Sequence, residues 1–173
     1  LILFTIVLYS QHRPVSTYSI VAYDEKTGEL GVAVQSHWFS VGFLVPWAKA
    51  GVGAVATQSF VKVDYGPEGL NRMEHGQSAE EALTSLLAED DGEAVRQVAM
   101  IDVKGSVAAH TGTKCIYAAG HQIGKNYSVQ ANLMEKETVW PSMANAFERS
   151  NGDLAEKMMA ALEAAEAEGG DIR

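Results

Sequence analysis

Alternating hydrophobic and polar residues near the start of the chain predict a β-hairpin. Residues 18–23 alternate in this way, and a second run at 29–35 places its large apolar residues on one face. The intervening residues 24–28 include Asp, Thr and Gly, which favour a turn. Because consecutive strands joined by a tight turn pair with each other, we expect these two runs to lie antiparallel.

Further strands are predicted along the chain. Small residues alternate through 51–57 and indicate a closely packed strand. A second hairpin is predicted from 95–103 and 106–110, on either side of Lys104-Gly105. Another strand is expected at 127–131.

Four segments have the periodicity and the end signals of helices. Ser78 and Glu81 form a capping-box pattern at the start of one helix, and Asp153 can cap another. Pro67 is tolerated in a first helical turn, and Gly76 is placed to end that helix. The predicted helices are 67–75, 79–88, 139–149 and 154–168.

The last predicted helix has an apolar stripe that should pack against a sheet. The stripe consists of Leu154, Met158, Ala161, Leu162 and Ala165. The elements follow one another as hairpin, helix pair, hairpin, helix pair. Since a parallel sheet alternates strand and helix, this order instead predicts an α+β fold with antiparallel sheets covered by helices.

The composition fits a single globular domain, expected over residues 17–173. The chain has 173 residues and a formal net charge of −9, from 13 Lys and Arg against 22 Asp and Glu. Nucleic-acid binding requires clustered basic residues, which the sequence lacks, so no nucleic-acid partner is expected. Cys115 is the single cysteine, too few for an intrachain disulfide or a structural zinc site.

The first ten residues are almost entirely apolar and differ from the rest of the chain. They are too short for a membrane span, which needs about 20 apolar residues, so no membrane span is expected. With the polar residues 11–16 after them, they favour a signal or leader segment over 1–16. An N-terminal strand and a mistranslated start are the alternatives. A signal segment would make the protein secreted or periplasmic, and its absence would make the protein cytoplasmic.

Two sequence patterns that would indicate a bound cofactor or metal ion are incomplete in this chain. Gly51, Gly53 and Ala56 match a variant of the dinucleotide fingerprint, but that motif must open a helix, and here alternation continues. No histidine pair has the i, i+4 spacing of a zinc-binding helix. The sequence therefore predicts no cofactor and no metal, with a metal held by histidines distant in sequence as the weaker alternative. The histidines are His12, His37, His75, His110 and His121.

Thr17 opens the first predicted strand directly after the leader. A threonine at a chain terminus combines a hydroxyl nucleophile with its own α-amine, whose pKa of about 7.7–8.0 suits a base at neutral pH. That arrangement exists only if residues 1–16 are removed. On spacing alone, the favoured interpretation of Thr17 is an ordinary β-favouring strand residue.

Several longer motifs resemble the domain-of-unknown-function family numbered 1028, which is placed among the N-terminal-nucleophile hydrolases. The resemblance covers residues 17–173. The motifs are Thr17-Tyr-Ser-Ile-Val-Ala22, Thr27-Gly-Glu-Leu-Gly-Val-Ala-Val34, Val45-Pro-Trp-Ala-Lys-Ala-Gly-Val-Gly-Ala-Val-Ala-Thr-Gln58, Tyr65-Gly-Pro-Glu-Gly-Leu70, His110-Thr-Gly112, Ala119-Gly-His121 and Glu168-Gly-Gly-Asp-Ile-Arg173.

The resemblance implies a four-layer αββα sandwich, with a further strand expected beyond Arg173. It also implies a site in which Thr17 attacks an amide carbonyl and its freed α-amine carries the proton. By analogy with proteasome-like relatives, Lys49 is the nearby cation and Asp171 the aspartate beside the nucleophile. Asn132 is the expected oxyanion donor.

Three functions follow as hypotheses. The first is an amidohydrolase that cleaves a small amide or peptide, and the second is a non-catalytic binding or assembly module, with a homo-oligomer left open. The third is a metal-assisted hydrolase using His37, His110 and His121. The mature N-terminus discriminates the first two, because only the hydrolase needs Thr17 at the start of the chain.

Overall fold

The computed structural model describes residues 16–170. Their strands are β1 (Thr17–Tyr23), β2 (Leu30–Ser36), β3 (Pro46–Lys49), β4 (Gly53–Ser59), β5 (Arg96–Asp102), β6 (Val107–Thr111), β7 (Gly120–Gly124) and β8 (Tyr127–Asn132). Their helices are α1 (Tyr65–Glu74), α2 (Ala79–Ala88), α3 (Val139–Arg149) and α4 (Leu154–Ala167).

The strands form two antiparallel sheets. The first sheet has the order β2-β1-β8-β7, and the second has the order β3-β4-β5-β6. The two hairpins predicted from alternation are confirmed as the β1–β2 and β5–β6 pairs. The small-residue run is strand β4, which continues through its glycine and alanine positions and does not open a helix.

The layers stack as a four-layer αββα sandwich, as expected. Helices α3 and α4 pack on the first sheet, helices α1 and α2 pack on the second, and the sheets face each other. Each helix pair encloses its own apolar core with the outer face of a sheet. None of the helices within residues 16–170 is long and apolar enough to cross a membrane.

The helix boundaries follow from the end signals in the sequence. Both expected N-caps form complete capping boxes, Ser78 with Glu81 and Asp153 with Glu156. Gly76 has a φ of 97°, which a residue with a side chain rarely adopts, and it follows the end of α1.

The stripe on α4 faces the first sheet, with one exception. Leu154 and Met158 are buried there, whereas Leu162 is only partly buried at the edge of the same core. Truncation of a core leucine to alanine lowers the free energy of unfolding by about 2–5 kcal/mol. We expect a loss in this range for Leu154→Ala and a smaller loss for Leu162→Ala.

Two short edge strands escaped prediction. Strand β3 begins with Pro46, which cannot donate to a ladder, and β7 has glycine at both ends. A side chain at Gly120 would overlap the ring of Trp140, so close packing of α3 on β7 requires glycine there. Such strands have little alternation to reveal them, because they are only partly buried.

The space between the sheets differs from end to end. One end is apolar and includes Val21, Ala54 and Ile101. The other end is filled by buried polar side chains, with Ser19, Gln58 and Gln130 among them. Thr17 lies at this polar end.

Candidate functional site

Thr17 occupies the first position of β1, in the middle of a row across the first sheet. Ser36 of β2 lies opposite it on one side and Asn132 of β8 on the other. Ser19, two residues along β1, bonds to Gln58 of the second sheet. Because alternate residues of a strand share a face, the Thr17 side chain also points toward the space between the sheets.

A hydrogen-bonded chain links the Thr17 hydroxyl to the carbonyl before it. The Thr17 and Ser36 hydroxyl oxygens are 2.9 Å apart, and the Ser36 hydroxyl donates to the Ser16 carbonyl at 3.3 Å. The backbone N–H of Trp38 donates to the same Ser36 oxygen at 3.1 Å. Because the Ser36 hydroxyl donates its own hydrogen to the Ser16 carbonyl, its oxygen can accept a hydrogen bond from the Thr17 hydroxyl.

The Ser16 carbonyl oxygen has a second donor. The backbone N–H of His37 donates to it at 3.2 Å, so this oxygen lies between an N–H and a hydroxyl. Two donors at one carbonyl oxygen are the arrangement that stabilises an oxyanion during acyl transfer. Sequence reasoning gave Ser36 no role and considered His37 only as a metal ligand, although their place at the end of β2, opposite the start of β1, could have suggested a role beside Thr17.

Thr17 opens into a cavity of about 440 Å³, which we call the Thr17 cavity. Its polar lining residues are Thr17, Ser36, Gln58, Ser59 and Asn132. Its apolar lining residues are Trp38, Val41, Leu44, Val45, Phe60, Val61, Ile116 and Leu133. Within the described range 16–170, no Asp, Glu, Lys, Arg or His side chain lines this cavity.

Three buried glutamines support the polar end of the sandwich. Gln58 Nε2 donates to Gln97 Oε1 at 2.7 Å and to the Thr17 carbonyl at 3.4 Å, while Gln58 Oε1 accepts from Ser19 at 2.7 Å. Gln130 Nε2 donates to the same Ser19 hydroxyl at 2.6 Å. This layer ties the backbone of Thr17 to both sheets.

Asn132, the expected oxyanion donor, is buried beside Thr17 and uses one of its two amide hydrogens on another partner. Its Nδ2 donates to Gln97 Oε1 at 3.0 Å. Its Oδ1 has no hydrogen-bond partner among residues 16–170. The structure therefore places Asn132 in the wall of the cavity, where one of its two Nδ2 hydrogens is used on Gln97 and its acceptor is unused.

Lys49 is not brought to Thr17. It ends β3 and pairs in register with Gly53, at the start of β4, and its ammonium bonds to Glu74 of α1. Gln58, which contacts Thr17, lies five residues further along β4, roughly 17 Å at 3.3 Å per residue. Lys49 was predicted from its position along the chain, which does not determine how strands align with one another. The observed register of β3 and β4 puts Lys49 at the end of the second sheet that lies far from Thr17.

Arg96 is a cation close to the cavity wall, but its charge is compensated. Its guanidinium donates to Asp90 at 2.9 Å and to the carbonyl of Phe60 at 2.7 Å. The Arg96 hydrogen bond holds the pKa of the Asp90 carboxyl well below its usual range. Arg96 thus supports the backbone of a lining residue. Asp171, the other predicted site residue, lies outside the residues that the structure describes.

A second cavity of about 440 Å³ contains a hydroxyl beside an imidazole, and we call it the His121 cavity. Thr111 Oγ1 and His121 Nδ1 are 2.8 Å apart, and Gln97 Nε2 donates to the same threonine oxygen at 3.0 Å. Burial lowers the pKa of His121, and the charge of His110 lowers it further. Cys115 also lines this cavity, and burial raises the pKa of its thiol.

The three histidines of the metal hypothesis do not form a group. His110 bonds to the Glu93 carbonyl at 2.9 Å, and His121 bonds to Thr111. No group of three His, Cys, Asp or Glu residues between 16 and 170 is arranged to hold a metal ion.

Comparison with known proteins finds a family model and a solved structure to which this chain is similar. A model of the family of unknown function DUF1028 matches residues 17–173. The crystal structure of protein SPO2555 from Silicibacter pomeroyi, which bears the same family name, superposes with a TM-score of 0.85 at 30% identity. The alignment covers 89% of this chain and 69% of that one. No curated protein gives a significant match.

Proposed function

The chain belongs to the family of unknown function DUF1028, and we propose that it is an amidohydrolase whose nucleophile is the hydroxyl of Thr17. The enzyme is latent while residue 16 is attached and becomes active when the bond between Ser16 and Thr17 is cleaved. Its substrate is a small amide or a peptide.

One observation carries this proposal. The Thr17 hydroxyl opens into a cavity, and the carbonyl next to it is held by the His37 N–H and the Ser36 hydroxyl. Removal of Ser16 would free both donors for the carbonyl oxygen of a substrate. A nucleophile and a pair of oxyanion donors would then share one site.

The α-amine of Thr17 supplies the base. In the uncleaved chain this nitrogen is a peptide amide with no usable lone pair, and no His, Asp, Glu or Lys side chain from residues 16–170 lines the cavity to replace it. After cleavage the neutral amine takes the proton of Oγ1, and Oγ1 attacks the carbonyl carbon of the substrate. The resulting oxyanion accepts from His37 and Ser36.

The tetrahedral intermediate then loses its amine. The α-ammonium of Thr17 gives its proton to the leaving nitrogen as the carbon–nitrogen bond breaks, which leaves an ester on Thr17. Water attacks this ester, the α-amine accepts the water proton, and the proton returns to Oγ1 as the acid departs. Ser36 orients Oγ1 throughout through the 2.9 Å contact between the two oxygens.

The test compares one preparation before and after cleavage. The full chain carries a specific protease sequence in place of residues 11–16, so that cleavage leaves Thr17 first. We expect hydrolysis of acetyl-phenylalanyl p-nitroanilide only after cleavage. Rapid acid quenching followed by peptide mass spectrometry should find the acyl group on Thr17.

Two results would contradict the proposal. Equal turnover before and after cleavage would show that the α-amine is not the base. An acyl group trapped on any other residue would move the nucleophile. Circular dichroism of both forms provides the folding control. A cleaved, folded protein that binds amides without hydrolysing them would instead be the binding module.

A further inference from the structure

Resting on the proposed function, we infer that the acyl half of the substrate is uncharged and apolar, with a bulky aliphatic or aromatic group beside the scissile carbonyl. The inference concerns the Thr17 cavity and the chemistry of its walls. It names a substrate class that the nucleophile alone does not specify.

The position of the Ser16 carbonyl indicates where the scissile carbonyl of a substrate lies. Its oxygen is bonded by the His37 N–H at 3.2 Å and by the Ser36 hydroxyl, which is also 2.9 Å from Thr17 Oγ1. Thr17 and Ser36 both line the Thr17 cavity. A group attached to a carbonyl at this position therefore enters that cavity.

The walls of the cavity offer no partner for a charge. Eight of its lining residues are apolar, and none of the others from the described range is ionisable. A charged acyl group would lose its hydration without gaining a counter-ion, which is costly. The net charge of −9 adds a general repulsion against anionic substrates.

The polar lining groups are largely committed within the protein. Gln58 uses its Oε1 on Ser19 and its Nε2 on Gln97 and on the Thr17 carbonyl. Asn132 uses its Nδ2 on Gln97. Apart from a single donor facing the unused Oδ1 of Asn132, a polar acyl group would thus compete with bonds that hold the two sheets together, whereas an apolar group leaves them intact.

The size of the cavity and its rim favour a bulky group. About 440 Å³ lies within the range of small-molecule sites, roughly 300–1,000 Å³. Trp38 and Phe60 line it yet remain 60% and 54% exposed, and Phe39 beside Trp38 is 93% exposed. Large apolar side chains clustered at the surface mark a binding site, and here they continue the apolar walls outward.

The experiment measures kcat/KM of the cleaved protein for acetyl-aminoacyl p-nitroanilides that differ only in one side chain. Phenylalanyl and leucyl substrates should exceed the glycyl substrate by at least about tenfold, the smallest discrimination that a single apolar pocket contact gives. Glutamyl and lysyl substrates should fall below the glycyl one. A preference for either charged substrate, or equal rates for all five, would overturn the inference.

A charge placed at the exposed edge of the Thr17 cavity should change this order of substrate preference. Val61→Lys introduces an ammonium at an exposed lining position, and we expect the ratio of glutamyl to phenylalanyl turnover to rise about tenfold. Ile123→Lys is the matched control, because Ile123 is also an exposed aliphatic residue, on β7 and outside the cavity lining. The same rise in the control would overturn the assignment of Val61 to the acyl site.

Binding measured by tryptophan fluorescence separates this inference from the proposed function. The acetyl-aminoacyl amides serve as ligands, and quenching that is lost in Trp38→Leu reports the cavity. Apolar binding without any turnover would overturn the hydrolase and support the acyl preference. Turnover that acylates Thr17 but favours charged substrates would support the hydrolase and overturn the preference.

Discussion

The Thr17 cavity and the His121 cavity have similar volumes but differ in whether ionisable side chains of the described residues line them. The first has a threonine hydroxyl among apolar walls, and its polar neighbours are neutral. The second has a threonine hydroxyl 2.8 Å from an imidazole, with Cys115 and Glu137 in its lining. Gln97 bonds to Asn132 in one wall and to Thr111 in the other.

The difference concerns where a base comes from. The His121 cavity already contains a hydroxyl and an imidazole that can accept a proton, so chemistry there would need no cleavage of the chain. The Thr17 cavity lacks a basic side chain among its described lining residues and gains a base only with a new N-terminus. Dependence of activity on cleavage therefore tells the two cavities apart, which volume cannot do.

The largest effect is expected from removal of one hydroxyl. Thr17→Ala in the cleaved protein should lower kcat/KM by at least about a thousandfold, because no other group replaces a covalent nucleophile. Thr111→Ala removes the equivalent hydroxyl of the other cavity and should leave the rate within about threefold. The reverse result would transfer the nucleophile to the His121 cavity.

The next effect concerns stability and the side chain that the two cavities share. Gln97→Leu removes the Oε1 acceptor of Asn132 Nδ2 and the closest acceptor of Gln58 Nε2, and it leaves the Ala131 carbonyl without the Gln97 donor. Each unsatisfied buried group costs about 1–3 kcal/mol, so the free energy of unfolding should fall by about 2–5 kcal/mol. Urea denaturation measures it. Gln122→Leu, at an exposed position of β7, is the control. An equal loss of unfolding free energy there would refute the role of the glutamine layer.

Ser36→Ala should have an intermediate effect on the rate. It removes the partner of Thr17 Oγ1 and one donor to the carbonyl oxygen. Loss of one oxyanion donor costs about 100- to 1,000-fold in kcat, and we expect a decrease of about 100-fold with little change in KM. Ser106→Ala, in the β5–β6 turn, should leave kcat unchanged. A change confined to KM would show that Ser36 only binds substrate.

The smallest effect separates the cavities by pH. Since folding lowers the pKa of His121, the unfolded chain binds more protons near its ordinary pKa, about 6.5. Stability should therefore decrease as the pH falls through and below that value, and His121→Gln should flatten the decrease in urea titrations. Activity depends on a different group and should rise as the α-amine loses its proton, near pH 7.7–8.0. A shared midpoint would contradict this separation.

The helices and the hairpins of the fold were predictable because their signals are local. Capping boxes at Ser78 and Asp153 marked the start of two helices, and alternation marked the hairpin that begins at Thr17. Strand β7 gave no such signal, since its two glycines serve close packing and its remaining residues are mostly polar.

The site was predictable only in its central residue. Thr17 could be chosen from its position after a predicted leader, but its partners depend on strand register, which a sequence motif does not determine. Register brings Ser36 and Asn132 to Thr17 and takes Lys49 to the far end of the second sheet. The buried glutamines were equally hidden, because each gains its partners from a strand distant in sequence.

The glutamine layer also gives the molecule an internal spectroscopic label. The side-chain amide protons of Gln58, Gln97 and Gln130 are held in hydrogen bonds away from water, so they should exchange slowly and give well-separated nuclear magnetic resonance signals. Gln58 lines the Thr17 cavity, and Gln97 contacts the groups of both cavities. Their chemical shifts should therefore change when either cavity is filled, and the pattern of changes would identify which one.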